Sequence, residues 1–267
     1  MAYLKPQQIA ERTIEAGVSK TKLPMPALWI LGFLGGAFIS LGFLLDIRVI
    51  GNLPPEWGSF ASLLGGAVFP VGLMLIVLAG GELITGNIMS VAMALYAKKI
   101  SLKDLGVNWI FVIVANFIGA LFVAYFFGHV VGLTETGPFL DKTVAIAGAK
   151  IEESFGQTLV SAIGCNWLVC LAIWLATGAE DVGGKILGIW FPIMAFVAIG
   201  FQHVVANMFV IPAAIFAGHF TWMDYLGNFV PTLIGNIIGG AIFVGMAYFT
   251  TYYKQKMEPS MKSKKVS

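Results

Sequence analysis

Long apolar runs separated by short polar connections fill the chain from Pro26 to Tyr253. Six crossings of a membrane can be read from them, at residues 27–45, 60–96, 105–131, 158–177, 185–218 and 225–253, because a hydrocarbon core of about 30 Å needs roughly 20 residues of α-helix. The second and fifth runs exceed that length, and each carries polar residues near its middle: Gly81-Glu82-Leu83-Ile84-Thr85-Gly86-Asn87 and Gly200-Phe201-Gln202-His203-Val204-Val205-Ala206-Asn207. A helix interrupted at membrane depth, its irregular backbone facing a protected cavity, accounts for both. Ahead of the first run, Ile9, Ala10, Ile14 and Val18 recur at near-helical spacing with Gln, Glu and Arg between them. That pattern predicts an amphipathic helix on the cytoplasmic surface, acting as an anchor or as a lid over the inner mouth.

The two halves of the chain repeat. Asn108, Asn116 and Gly119 of the third run return as Asn228, Asn236 and Gly239 of the sixth, 120 positions later, and the same offset lays Asn87 on Asn207 and Glu82 on Gln202. Phe69-Pro70 and Phe191-Pro192 match within two residues. Three crossings per copy is an odd number, so the second copy enters the membrane in the opposite sense. Inverted repeats with broken helices are a transport architecture, in which half-helix ends and freed backbone groups meet near the midplane. Glycine pairs such as Gly35-Gly36, Gly65-Gly66 and Gly239-Gly240 let such spans pack closely.

Composition puts a soluble enzyme far behind a membrane protein: 58% of residues are hydrophobic, 11% are charged, and the mean hydropathy is +0.86. Lys and Arg gather at the two ends, around Lys98, Lys99 and Lys103, and at Lys185, whereas the other three connections hold only Arg48, Lys142 and Lys150. The positive-inside rule then places both termini in the cytoplasm, which requires an even number of crossings. Residues 1–25 form a cytoplasmic amphipathic segment that does not resemble a cleaved signal peptide, 26–254 the six-span domain, and 255–267 a basic cytoplasmic tail. Cys165 and Cys170 are spaced onto different helix faces as reduced packing residues. The histidines His129, His203 and His219 offer no spacing for a transmembrane haem pair or a metal site, and no phosphate-cradling glycine loop is present. No cofactor, catalytic group or nucleic-acid partner is expected.

Candidate chemistry centres on the two interruptions. An ionisable group inside a membrane costs about 2.5–3.5 kcal/mol when charged, and His203 sits in an otherwise apolar run whose other polar side chains are Gln202 and Asn207. A neutral imidazole can donate one hydrogen bond to an anion, and a protonated one can supply charge or a proton. Glu82 is expected against backbone N–H groups of the opposing break, and Thr85, Asn87 and Asn207 are expected to cap backbone groups freed there. Thr85 could also touch a solute. Lys150, in the outer connection before the fourth run, could draw anions inward or be an isolated surface lysine.

Three segments together, the two interruptions and Cys165-Asn166-Trp167-Leu168-Val169-Cys170-Leu171-Ala172, resemble the formate/nitrite transporter family, with similarity running from Pro26 to about Tyr253. The resemblance implies an aquaporin-like all-α protomer of six spans with broken second and fifth helices. It also implies a homopentamer with one pore per protomer, in a bacterial-type plasma membrane. The solutes it implies are small monovalent anions, with formate first and nitrite or hydrosulfide as alternatives. By the same resemblance Phe69, Leu73 and Phe196 are apolar constriction residues, and Leu83 and Ile84 line the constriction across from His203. Thr85 faces the histidine, Gly86 belongs to the break, Lys150 lies in the outer funnel and Lys20 near the inner mouth. Two departures stand out: Gln202 where many relatives carry Glu, and Ile84 where formate channels carry an aromatic residue. A neutral-solute channel is the rival class, but the Asn-Pro-Ala signature of aquaporins is missing from both breaks.

Overall fold

The computed structural model describes residues 3–254, so the basic tail expected at 255–267 lies outside the described residues. The regular elements described are helical, joined by one isolated β-bridge between Tyr3 and Ala179. In chain order they are α1 (Pro6–Thr21), α2 (Met25–Ile50), α3 (Ser59–Val68), the single turn α4 (Val71–Met74), α5 (Ile84–Tyr96), α6 (Leu102–Phe122), α7 (Pro138–Ile151), α8 (Phe155–Gly178), α9 (Val182–Ile199), α10 (Val204–Phe216) and α11 (Trp222–Ile237). Wider π-helical turns carry α4 on to Gly80, α6 to Val130 and α11 towards Lys254.

Among the described residues six stretches are long and apolar enough to cross a membrane: Met25–Ile50, Ser59–Gly80, Leu102–Val130, Phe155–Gly178, Val182–Ile199 and Trp222–Lys254. The overlong second and fifth runs each resolve into one of these spans followed by a half-helix, α5 or α10. Both breaks begin at a glycine with positive φ, Gly80 at 107° and Gly200 at 88°, a conformation that L side chains adopt only at a cost. The chain then runs extended through Leu83 and His203 before the half-helices start. At polar ends the starts are set by short side chains: Ser101 Oγ accepts the Asp104 N–H, Ser154 Oγ that of Gln157, and Thr221 Oγ1 that of Asp224. Bulky apolar side chains such as Ile30, Ile110, Val160, Phe191 and Ile199 point outward. That inversion of the soluble pattern suits a lipid surround.

The bundle consists of two interlocked halves, and α5 and α10 are its most deeply enclosed helices. The repeat extends beyond the three crossings per copy. Lys20 and Lys150, and Gly32 and Ala162, hold the same places in the two halves at an offset of 130. The amphipathic α1 therefore has a counterpart in α7, a helix hidden in sequence because 138–151 has neither a long apolar run nor a terminal position. Each of Gly119 and Gly239 lets α6 and α11 meet a neighbouring span. A Cβ would fall 2.0 Å from the Phe33 carbonyl oxygen at the first and 2.3 Å from that of Ile163 at the second. The apolar face of α1, with Ile9, Ala10 and Ile14 buried, packs on protein, including α5, where a Cβ on Gly17 would meet the Ser90 carbonyl at 2.1 Å. Its apolar residues face the bundle instead of lipid, which disfavours the anchor expectation.

Candidate functional site

Each break is clamped by an asparagine from a neighbouring span. Asn116 Oδ1 accepts the Ile84 N–H at 2.9 Å, and its Nδ2 donates to the carbonyls of Glu82 at 2.8 Å and Gly32 at 2.7 Å. Asn236 repeats the pattern with the Val204 N–H at 2.9 Å and the carbonyls of Gln202 at 3.0 Å and Ala162 at 2.8 Å. Backbone groups freed at membrane depth have no water to turn to, so these bonds are what permits the interruption. Thr85, Asn87 and Asn207, expected as the caps, do not fill that role. Asn87 Nδ2 instead holds Glu82 Oε2 at 2.7 Å and Asn108 Oδ1 at 2.9 Å, and Asn207 Nδ2 holds Gln202 Oε1 at 2.7 Å and Asn228 Oδ1 at 2.8 Å. Asn108 and Asn228 reach on to the carbonyls of Lys20 and Lys150, tying α1 and α7 to the breaks.

The halves differ in charge. Lys20 Nζ lies 2.7 Å from Glu82 Oε1, so this carboxylate is neutralised by an ion pair and not by the backbone N–H groups expected from sequence. With Gln202 in the equivalent place, Lys150 Nζ donates to the carbonyls of Gly200 at 2.5 Å and Phe201 at 2.9 Å, at the negative end of α9. Gln202 Nε2 bonds to the Lys150 carbonyl at 3.1 Å and to Glu153 Oε2 at 2.9 Å. A carboxylate is thus present here as well, one contact further from the break.

Two cavities approach the centre from opposite sides. The one on the α1 side, about 400 Å3, is lined by Thr13, Lys20, Leu73, Glu82, Leu83, Gly86 and Asn87 among others. The one on the α7 side, about 320 Å3, is lined by Phe43, Asp46, Phe69, Lys142, Lys150, Glu153, Phe196 and Asn207 among others. Between them lies a chamber walled by Ile39, Phe69, Leu73, Leu83, Val169, Ile193, Phe196 and His203, with no space for a water-sized molecule. Leu73 and Leu83 border both the chamber and the α1-side cavity, while Phe69 and Phe196 border both the chamber and the α7-side cavity. The phenylalanines meet edge to face with centroids 5.6 Å apart. In this structure apolar residues on each side of the histidine separate the two cavities.

His203 is the N-cap of α10. Its Nδ1 accepts the Ala206 N–H at 3.1 Å, which places the proton of the neutral ring on Nε2, 3.1 Å from Thr85 Oγ1. The Thr85 hydroxyl is then free to donate onward. The ring stacks on Phe196 with centroids 5.6 Å apart. Thr85 is completely buried at the first turn of α5, its carbonyl held by Asn166 Nδ2 at 3.2 Å. The His203–Thr85 contact therefore joins the N-terminal ends of α5 and α10, whose helix dipoles favour negative charge. This is a dry, anion-seeking centre carrying one ring N–H and one hydroxyl.

A family model, "Formate/nitrite transporter", matches residues 7–250. The chain belongs to the formate/nitrite transporter family. It is 71% identical over 255 residues to "Uncharacterized transporter YrhG" of Bacillus subtilis (strain 168), covering 96% of each chain. It is 70% identical over 255 residues to "Formate channel BtFdhC" of Bacillus thuringiensis, covering 96% of this chain and 98% of that one. A solved structure, "Pentameric formate channel with formate bound", superposes with a TM-score of 0.75 at 29% identity, covering 86% of this chain and 98% of that one.

For a member of the formate/nitrite transporter family, the positions singled out in sequence fall into three groups. His203, Phe69, Leu73, Leu83 and Phe196 wall the chamber; Lys20, Glu82, Gly86 and Asn87 border one cavity and Lys150 and Asn207 the other. Ile84, Thr85 and Gln202 line none of these spaces; Ile84 contributes its clamped N–H, and Thr85 meets the chamber only through its contact with His203 Nε2. Asp46 and Glu153 escaped notice, and Asn166 was read only as part of a family-like segment, with no role of its own. A lone acid near the end of a span and one in a connection carry no pattern, and Asn166 shows its role only once it meets Thr85 and Asn236.

Proposed function

We propose that this chain is a membrane channel for small monovalent anions with formate as its physiological solute. The observation that carries the proposal is His203 Nε2 and Thr85 Oγ1 meeting at 3.1 Å beside a closed apolar chamber, between the N-terminal ends of two half-helices. The 70% identity to a protein named a formate channel supports the choice of formate. An anion shedding water at the Phe69–Phe196 or Leu73–Leu83 constriction faces a steep desolvation cost. The donors on His203 and Thr85, with the two helix ends behind them, offset it. Proton sharing with His203, giving transient formic acid, lowers the cost further. Because Nδ1 holds the Ala206 N–H, adding a second ring proton there means releasing that cap.

The same proposal places both termini in the cytoplasm, so that the α1-side cavity is the inner mouth and the α7-side cavity the outer one. It takes the protomer to assemble as a pentamer in a bacterial plasma membrane, in keeping with the pentameric formate channel it superposes on. Lys20 and Lys150 then supply positive charge near opposite mouths, and no cofactor or catalytic step is involved. The test is uptake of formate, nitrite and hydrosulfide by purified protein in liposomes at two pH values. Formate preference in the wild type, with loss of pH-dependent flux in His203→Phe, is expected; an unchanged rate and pH profile in the variant would refute the role of His203.

A further inference from the structure

Asp46, near the C-terminal end of α2, is a carboxylate that the pathway described above does not use. Only 3% of it is exposed, and its Oδ1 has no hydrogen-bond partner among the described residues. It packs so closely on α3 that a Cβ at Gly65 would fall 2.1 Å from Oδ1. It also lines the α7-side cavity, directly outside the Phe69–Phe196 constriction. A bare carboxylate in that place carries two costs: it is buried without a donor, and it repels the anion that must pass it.

We propose that Asp46 is the proton-exchanging residue of the α7-side cavity, handing a proton to the carboxylate of the solute before the solute enters the phenylalanine constriction. This rests on the formate reading above. The carboxyl O–H bond of Asp46 breaks, a new O–H bond forms on a formate oxygen, and formic acid with an Asp46 carboxylate results. The neutral acid crosses the apolar constriction with less desolvation than the ion. A hydronium ion arriving from the medium through the cavity returns a proton to Asp46 and is left as water, and movement in the opposite direction reverses each step. Lys142 and Lys150, which line the same cavity from α7, stabilise the carboxylate in the interval, and Glu153 beside them opposes it.

Two other charged groups near this end are engaged elsewhere. Arg48 on α2 itself lies 3.5 Å over the Phe139 ring and donates to the Leu133 carbonyl, and His129, beyond α6, pairs with Glu135 at 2.6 Å. The α3, α4 and α10 segments that pack on α2 carry no acidic or basic side chain near Asp46, and Asp104 of α6 lies near the α1 end.

The experiment compares wild type, Asp46→Asn and Asp46→Glu in liposomes, reading formate uptake and internal acidification together across pH. It adds infrared difference spectra of the protein over the same titration. Asp46→Asn is expected to slow formate uptake roughly tenfold and flatten its rise towards acid pH, in line with the loss of one positioned proton donor. Asp46→Glu should keep the pH dependence with a displaced midpoint. The wild type should show a protonated-carboxyl band that titrates and is missing in Asp46→Asn. Wild-type rate and pH profile in Asp46→Asn, or a titrating band that survives the substitution, would overturn the proposal. Should Asp46→Asn not assemble, Asp46→Glu decides: an unmoved band and midpoint overturns it. Absence of formate flux in the wild type refutes the formate reading, while the infrared band still tests Asp46 alone.

Discussion

Asn236→Ala removes the clamp on the break that carries His203. Three hydrogen bonds go at once: the Val204 N–H loses its acceptor, and the carbonyls of Gln202 and Ala162 lose their donor. Hydrogen bonds within membrane proteins average about 0.6 kcal/mol and reach about 1.7, so the three together are worth about 2–5 kcal/mol, with the upper part favoured because the N–H and carbonyls are left dry. Asn116→Ala should cost the same within about 1 kcal/mol, since it breaks the matching three bonds in the other half. Thr232→Val, which removes only bonds to Asn228 one turn away, serves as the control and should cost about 1 kcal/mol or less. Equilibrium unfolding in mixed micelles gives the stabilities, and liposome uptake gives the function. Because Val204 directly follows His203, Asn236→Ala should also slow formate flux roughly tenfold, through misplacement of the ring. If Asn236→Ala unfolds within about 0.5 kcal/mol of wild type, the break is not held by this side chain and the account of it is wrong.

The remaining expectations concern charge. Lys20→Met leaves Glu82 without its ion-pair partner, and because the lysine is 26% and the glutamate 7% exposed the cost should be about 1–3 kcal/mol, below that of a fully buried pair; adding Glu82→Gln should restore most of it in a double-mutant cycle. Burial holds the Lys150 ammonium below the usual lysine pKa, only partly opposed by nearby acidic groups. A lysine is charged below its pKa, so Lys150 loses its pull on anions as pH rises through a value lower than that of a surface lysine. Formate uptake should therefore fall on the alkaline side, Lys150→Arg should remove much of that fall, and Lys150→Met should lower uptake roughly tenfold at neutral pH; uptake that is indifferent to both substitutions would show that Lys150 serves only to hold the Gly200 and Phe201 carbonyls.

The spans, the two breaks and the inverted repeat were legible because lipid imposes long apolar runs, and polar residues inside such runs stand out. The repeat exposed Asn116 and Asn236 as equivalent, yet not as clamps, since the backbone groups they satisfy come from another span. Thr85, Asn87 and Asn207 were placed at the breaks correctly but given the wrong partners. Local capping rules favour a nearby side chain, whereas here the nearby asparagines bind residues 82 and 202 and distant ones take the backbone. The α7 helix was hidden for a different reason: its pattern is neither apolar enough for a span nor regular enough to stand out, and only its likeness to α1 in space reveals it. The assignment of Phe69, Leu73, Leu83 and Phe196 to the central chamber came from family resemblance; hydrophobicity alone does not distinguish them from the many other apolar residues.

The clamps are symmetric, but the chemistry at the centre is not. At the 120-residue offset, His203 stands opposite Leu83 and Thr85 opposite Val205. One half therefore contributes a leucine to the chamber wall and a hydroxyl behind it, and the other contributes the imidazole with a valine behind it. Strict symmetry would set two histidines near one another in a dry space, where protonating one would oppose protonating the other. It would also leave no hydroxyl to meet Nε2. The substitution of Leu for His on one side keeps the α1-side constriction apolar, and Thr for Val gives the single ring a partner at 3.1 Å. Keeping the asparagine clamps alike in both halves while these four positions differ leaves one imidazole–hydroxyl centre instead of two, and on the proposed reading a single site is easier for an anion to leave than a pair that binds it from both sides.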